Sequence, residues 1–277
     1  MGTTADKLNR LINTKEGIRQ ELNRAYETEE ISTSDTFNSY IQKLEEHPFY
    51  LKGLVEGTIE SIKLSNVKRI GEGAFSNCSS LTEVSFPEAI SIGNYAFSNC
   101  SSLTEVTEVS FPVATNIGQY AFRDCNSLTE VSFPLATSTG LYAFYSCSSL
   151  TSVSFPVATS IGNYAFSGCS KLTSVSFPVA TSIGNQVFQN CSGLTSVSFP
   201  NATSIGSSAF QRCTKLTTIY VGTNTSTVCT LSDTRAFNNC PNLTNIYVPE
   251  SLVDSYKTAT NWSSYADKIK AYIQPVG

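Results

Sequence analysis

Nine cysteines in 277 residues are the side chains of this sequence with the most chemistry available to them. A thiol can act as a nucleophile, as a soft metal ligand or as half of a disulfide, and spacing decides which. Eight of them, Cys78, Cys100, Cys125, Cys147, Cys169, Cys191, Cys213 and Cys240, recur at intervals of 22 residues or slightly more, and Cys229 stands apart. No CxxC pair occurs and the single histidine is His47, so the ligand sets of a zinc site are absent and no metal or other cofactor is expected. A Cys/His or Ser/His/Asp constellation would have to recruit His47, and no serine lies in G-x-S-x-G. No catalytic residue is therefore assigned, and the chain reads as a non-enzyme. Stacked equivalents about 4.8 Å apart fall within disulfide range. Their parallel Cβ vectors fit the bond poorly, so the eight repeat cysteines are expected as buried free thiols of the core.

Carboxylates are equally unpromising. Between Ser79 and Tyr220 the charged residues are sparse, and Glu83, Glu105 or Glu108, and Glu130 share one position, which predicts a solvated acidic edge. The candidate binding side chains are aromatic: Tyr95, Tyr120, Tyr142 and Tyr164 occupy one position in four successive units, with Tyr145 beside them. A phenol has an apolar body and a polar rim, which suits a sugar ring or a protein loop, and a ladder of phenols can equally be structural. Both readings stay open. The serines Ser85, Ser110, Ser132, Ser154, Ser176 and Ser198 are expected to point outward as neutral surface.

These residues must be positioned by a repeat that runs from about Thr58 to Pro249, one unit reading L-x-x-V-x-F-P-x-x-x-x-I-G-x-x-A-F-x-x-C-x-x. The alternation Leu150, Val153, Phe155 predicts a strand with valine and phenylalanine inward, ended by Pro156. Ile161 and Phe166 return the chain to the core, and Gly162 is expected to permit a tight bend between them. Val157, Cys169, Leu172, Val175 and Phe177 complete the expected core. Strand starts at Ile59, Leu81, Leu103, Leu128, Leu150, Leu172, Leu194, Leu216 and Leu243 give about nine coils of a parallel β solenoid. A duplicated Thr-Glu-Val after Leu103 predicts a bulge at Val106 to Glu108 or a strand start moved to Val106. Extra residues between Val221 and Ala236 predict an added β turn around Cys229.

The flanks read as helical. Residues 1–50 carry apolar stripes, Leu8, Leu11, Ile12, Ile18 and Leu22, then Phe37, Tyr40, Ile41 and Leu44, which predicts a helical attachment or capping head. Residues 51–249 form the solenoid. Residues 250–277 predict two short helices split at Asn261, with Trp262, Tyr265, Ala266 and Ile269 covering the last coil as a helical cap. The whole is an α+β repeat solenoid. A net charge of −4 and a pI near 5.1 supply no field for phosphates, so nucleic acid is not an expected partner. No window approaches 18 apolar residues, and Met1 to Arg10 is polar, so neither membrane insertion nor a signal peptide is expected.

The units I-G-x-Y-A-F-x-x-C-S-S-L-T-x-V-x-F-P resemble BspA-type, or Treponema-type, leucine-rich repeats, which have A-F-x-x-C-x-x-L where the common type has its asparagine or cysteine ladder. The ending Y-V-P-E-S-L-V-D-S-Y-K-T-A-T-N-W-S-S-Y-A-D-K-I-K is similar to caps on such proteins in gut bacteria and their phages. TTADKLNRLINTKEGIRQELN, followed by STSDTFNSYIQKL, resembles a module of phage and prophage structural proteins that precedes head-fibre, tail-fibre or other appendage domains. The resemblance implies a virion appendage or decoration protein on capsid or tail. Residues 1–50 would hold it to other virion proteins, and its solenoid would adhere to a host cell-surface protein or glycan, with a homo-oligomer as one arrangement. Two alternatives stay open: a purely structural decoration or spacer, and a bacterial BspA-like surface adhesin.

Overall fold

The structure is a computed structural model and describes residues 60–64, 67–106 and 110–273. The helical head expected over residues 1–50 and the strand start at Ile59 lie outside the described residues. Among the described residues there are seventeen short strands, β1 to β17 in chain order, sixteen of them in two rows that run along the stack and the last in the C-terminal cap. The first row holds β1 (Ser61–Lys63), β3 (Glu83–Ser85), β5 (Glu105–Val106), β7 (Glu130–Ser132), β8 (Ser152–Ser154), β10 (Ser174–Ser176), β12 (Ser196–Phe199), β14 (Thr218–Val221) and β16 (Asn245–Pro249). The second holds β2 (Arg69–Ile70), β4 (Ser91–Ile92), β6 (Asn116–Ile117), β9 (Ser160–Ile161), β11 (Ser182–Ile183), β13 (Ser204–Ile205) and β15 (Thr230–Leu231). Every pairing is parallel, and within the two rows each joins equivalent residues of successive units, as Val131↔Val153 and Ile183↔Ile205 do. Nine coils result.

The inner coils bury their leucine, two phenylalanines, alanines and cysteine, so Leu150, Phe155, Ala158, Ala165, Phe166 and Cys169 are all fully buried. A buried side chain of this size contributes roughly 1.5–3 kcal/mol, but a lone coil leaves both sides of its apolar layer in water. Stacking removes that exposure. The inward rings form continuous columns, with Phe122, Phe144 and Phe166 spaced 5.3 and 5.2 Å apart at interplanar angles of 1°. Threonine hydroxyls tie the corners, Thr151 donating to the Thr129 carbonyl at 2.9 Å and Thr173 to that of Thr151 at 3.2 Å.

Several expectations need correction. Val157 is 41% exposed, with Leu135 and Val179 at the same position exposed to 45% and 39%. The residue after proline sits at the corner between the two rows and points outward. Val175 is only half-buried and Ser110 is buried. Gly162 does not serve a bend; a Cβ there would lie 2.6 Å from the Thr139 carbonyl oxygen, so the position is glycine because the coil below passes against it. Positive φ falls instead on two other positions of the turns before the last, such as Tyr164 (57°) and Gly168 (82°). Their N–H groups reach forward to the next coil, Tyr164 to the Asn185 carbonyl at 2.9 Å and Gly168 to that of Gln189 at 2.8 Å.

The first insertion does not move the strand start. Glu105 and Val106 pair with Glu130 and Val131, Phe111 resumes the column 5.6 Å from Phe86, and residues 107–109 lie outside the described residues. In the second, Thr230 and Leu231 pair with Ser204 and Ile205, so Leu231 takes the isoleucine position and Cys229 is buried beside it. The cap holds this segment. The Cys229 N–H donates to the Tyr256 hydroxyl at 2.9 Å, and the Trp262 indole N–H donates to the Cys229 carbonyl at 2.6 Å. The cap itself departs from two helices: one helical turn and a half, α1 (Val253–Thr258), precedes a 3-10 turn at Trp262–Tyr265. The chain then forms β17 (Ile269–Tyr272), parallel to β16, with Ile246 opposite Ile269. Ile269 is buried because it extends the strand column, not because it lies on a helix stripe.

Candidate functional site

The repeat cysteines have little reactivity to offer. All nine are free and buried, and each from Cys100 onward in the repeat column donates its S–H to the phenylalanine carbonyl of the coil before it. Cys147 to Phe122 at 3.1 Å and Cys191 to Phe166 at 3.1 Å are examples. That carbonyl also accepts a backbone N–H, as Phe122 does from Cys125 at 3.4 Å. Burial pushes the thiols up, to about 11 at Cys78 and Cys240 and about 12 at Cys169 and Cys229, so thiolate is scarce at neutral pH. Among the described residues no three His, Cys, Asp or Glu side chains converge on a cation position. The acidic edge is solvated: Glu105 lies beside Glu130, and the exposed Glu83 meets Lys63 at 2.7 Å.

The tyrosines do meet. Tyr95, Tyr120, Tyr142 and Tyr164 stack in one row with centroid separations of 4.7, 4.8 and 4.4 Å and interplanar angles of 10° or less. All four sit at positive φ, where a side chain leaves the turn at an angle that ordinary helical or extended backbone does not give. Tyr145 stands edge-on to Tyr142 at 5.4 Å. Stacking has a cost for recognition, because each inner ring has both faces covered by its neighbours. The inner part of the row presents ring edges and a line of hydroxyls, not open ring faces. Gln186 closes its far end by donating its side-chain N–H to the Tyr164 hydroxyl at 2.6 Å. Desolvation first, then the neighbouring Tyr164 phenol, holds the Tyr142 hydroxyl above its ordinary value.

Two residues not singled out from the sequence stand out here, Arg123 against the row and Leu141 beside it in the chain. Arg123 places its guanidinium carbon 5.9 Å from the Tyr120 ring centre and 6.0 Å from that of Tyr145, while its Nε donates to Asp124 at 2.8 Å. Leu141 interrupts a neighbouring amide ladder in which Asn94 accepts the Gln119 N–H at 2.9 Å and Asn163 that of Asn185 at 2.7 Å. The signal was present in the sequence as a departure from the unit: Arg123 stands where other coils have Ser98 or Ser167, and Leu141 where they have Asn94 or Asn163.

Parallel coils, an inward phenylalanine column and one strand row per side define a leucine-rich-repeat solenoid. The BspA type Leucine rich repeat region matches in six copies, over residues 12–128, 43–169 and 137–266, and the chain belongs to that family. Among solved structures, the leucine-rich repeat protein of T. pallidum (TpLRR) is 26% identical, covering 57% of this chain and 72% of that one with a TM-score of 0.43. A leucine-rich cell surface protein from Faecalibacterium prausnitzii is 22% identical, over 80% of this chain and 66% of that one, with a TM-score of 0.42. The pneumococcal vaccine antigen PcpA is 17% identical, over 78% and 68%, with a TM-score of 0.44. Comparison with curated proteins returns no match.

Proposed function

We propose that the chain is a non-enzymatic recognition protein whose turn face around Tyr120 and Tyr142 engages a protein or glycan on a host cell surface. We place it on a virion as a capsid or tail appendage, with residues 1–50 joining it to other virion proteins. One observation supports the recognition reading. Coils that otherwise repeat almost residue for residue depart from the unit at Arg123 and Tyr145, and these two side chains come together beside Tyr120 and Tyr142. Structural upkeep needs no such convergence, since Tyr95 stacks without it. The virion assignment is supported by the resemblance of residues 1–50 alone.

The contact chemistry follows from the covered ring faces. Hydroxyls of the row can donate and accept, and Arg123 adds a cation whose charge is partly offset by Asp124. The test is adsorption of the full-length protein to host cells, alongside the variants Tyr120→Ala/Tyr142→Ala and Arg123→Ala. Both are expected to lower binding by about tenfold or more while the melting temperature stays within a few degrees. Unchanged adsorption by both variants removes the recognition reading and leaves a spacer. Immunogold labelling of purified particles tests the virion assignment separately.

A further inference from the structure

The first strand row carries a second aromatic group, far from the tyrosine row and independent of it. Through Ser132, Ser154, Ser176 and Ser198 one outward position is serine in coil after coil; it then becomes Tyr220 and Tyr247. Register places Ser198, Tyr220 and Tyr247 side by side on β12, β14 and β16. Tyr220 and Tyr247 stack at 5.0 Å and 15°, and Tyr272 stands at 82° to Tyr220 at 5.7 Å. Tyr247 thus covers the face of Tyr220 that looks toward the cap. Toward Ser198 the other face meets no ring among the described residues, because its neighbour there is a hydroxymethyl group.

That open face adjoins a break in the sheet. No ladder joins β10 to β12, the second break in this row after the one between β3 and β5. In equivalent places Phe133 N–H donates to the Ser154 carbonyl at 3.1 Å and Phe155 N–H to that of Ser176 at 3.0 Å, yet no such bond links Phe177 to Ser198. The ring column widens here as well, from 5.2 Å between Phe155 and Phe177 to 6.3 Å between Phe177 and Phe199. Val175 loses its burial at the same seam. Ser176, Ser196 and Ser198 are exposed beside it, and their hydroxyls make no hydrogen bond among the described residues.

We infer that this corner is a saccharide-binding site: a pyranose ring lies on the open face of Tyr220, in the layer above Ser198, and its hydroxyls bond the serines and the unpaired main-chain groups of the seam. A sugar presents an apolar C–H face to an aromatic ring and a rim of hydroxyls that both donate and accept. The corner supplies the complement of both, an uncovered ring face and neutral groups of either sense.

An array of neutral hexose and N-acetylhexosamine oligosaccharides, with extended peptides printed alongside, probes the full-length protein. Saccharide binding is expected. Ser198→Tyr adds a ring to the stack and covers the open face without touching the core, so it is expected to weaken binding more than about tenfold. Tyr220→Ser, which continues the serine row, is expected to do the same. Ser132→Tyr, the same change three coils away, is expected to leave binding unaltered. Circular dichroism melting of Ser198→Tyr separates loss of the site from loss of the fold. Binding that survives Ser198→Tyr, or that is lost only with Tyr142→Ala, or a signal on peptides alone, overturns the assignment.

Discussion

At the scale of single residues, the two glycine positions of a coil look alike in sequence and differ in physics. Gly168 has φ of 82°, and a Cβ there would meet nothing closer than the Ser146 hydroxyl at 3.2 Å. Gly162 has no such φ, but its Cβ would fall 2.6 Å from one carbonyl oxygen and 2.7 Å from another. Gly168→Ala should therefore cost about 1 kcal/mol, the price of a left-handed backbone. Gly162→Ala should cost more, about 2–3 kcal/mol, because two coils must separate. Denaturation midpoints of the two variants check the order, and equal costs would contradict the close-approach account. The cysteine differs likewise from what its type suggests, acting as a hydrogen-bond donor between coils as well as an apolar filler.

At the scale of elements, what could be read in advance was whatever repeats. Coil number, strand position, the leucine and phenylalanine columns and the stacked tyrosines follow from period and alternation, which a sequence displays directly. What could not be read were properties set by packing in three dimensions: the ring faces that stacking hides, the carbonyl of the preceding coil against Gly162, and the outward turn of Val157 at a corner. The cap was misread for a related reason, since Ile269 satisfies helical spacing within its segment and strand register only against Ile246. Departures from the unit have consequences at this scale too. Thr139 stands in the isoleucine column, and there the second row divides, leaving only the bridge Ser138↔Ser160 between β6 and β9. The Gly162 N–H turns to the Thr139 hydroxyl at 2.9 Å, whereas the Gly184 N–H takes the Ile161 carbonyl at 3.0 Å. Thr139→Ile should restore the main-chain bond, join the two parts of the row and raise stability by about 1 kcal/mol. Slower amide exchange at Gly162 would report the repaired ladder, and a lowered denaturation midpoint would contradict it.

At the scale of the whole molecule, the cysteines act in concert. An unfolded thiol ionises near pH 8.5, whereas the folded chain holds Cys78 and Cys240 near 11 and Cys169 and Cys229 near 12. Below about pH 8.5 both states keep their protons and stability is unaffected. Above it the unfolded chain releases protons that the folded chain retains, so stability falls by about 1.4 kcal/mol per pH unit for each thiol. Nine thiols together make the fall steep. The melting temperature should be flat from pH 7 to 8 and drop sharply above about pH 9, and a variant with Cys147, Cys169 and Cys191 changed to alanine should show a shallower drop. A last consequence concerns inheritance. Because Val131 joins Val153 and Val153 joins Val175, the ladders of the regular units link a residue to its counterpart 22 positions on. Loss or gain of one unit in frame, by recombination between near-identical stretches of the gene, rejoins every ladder at once. Rod length can thus vary between lineages without passing through a misfolded ancestor.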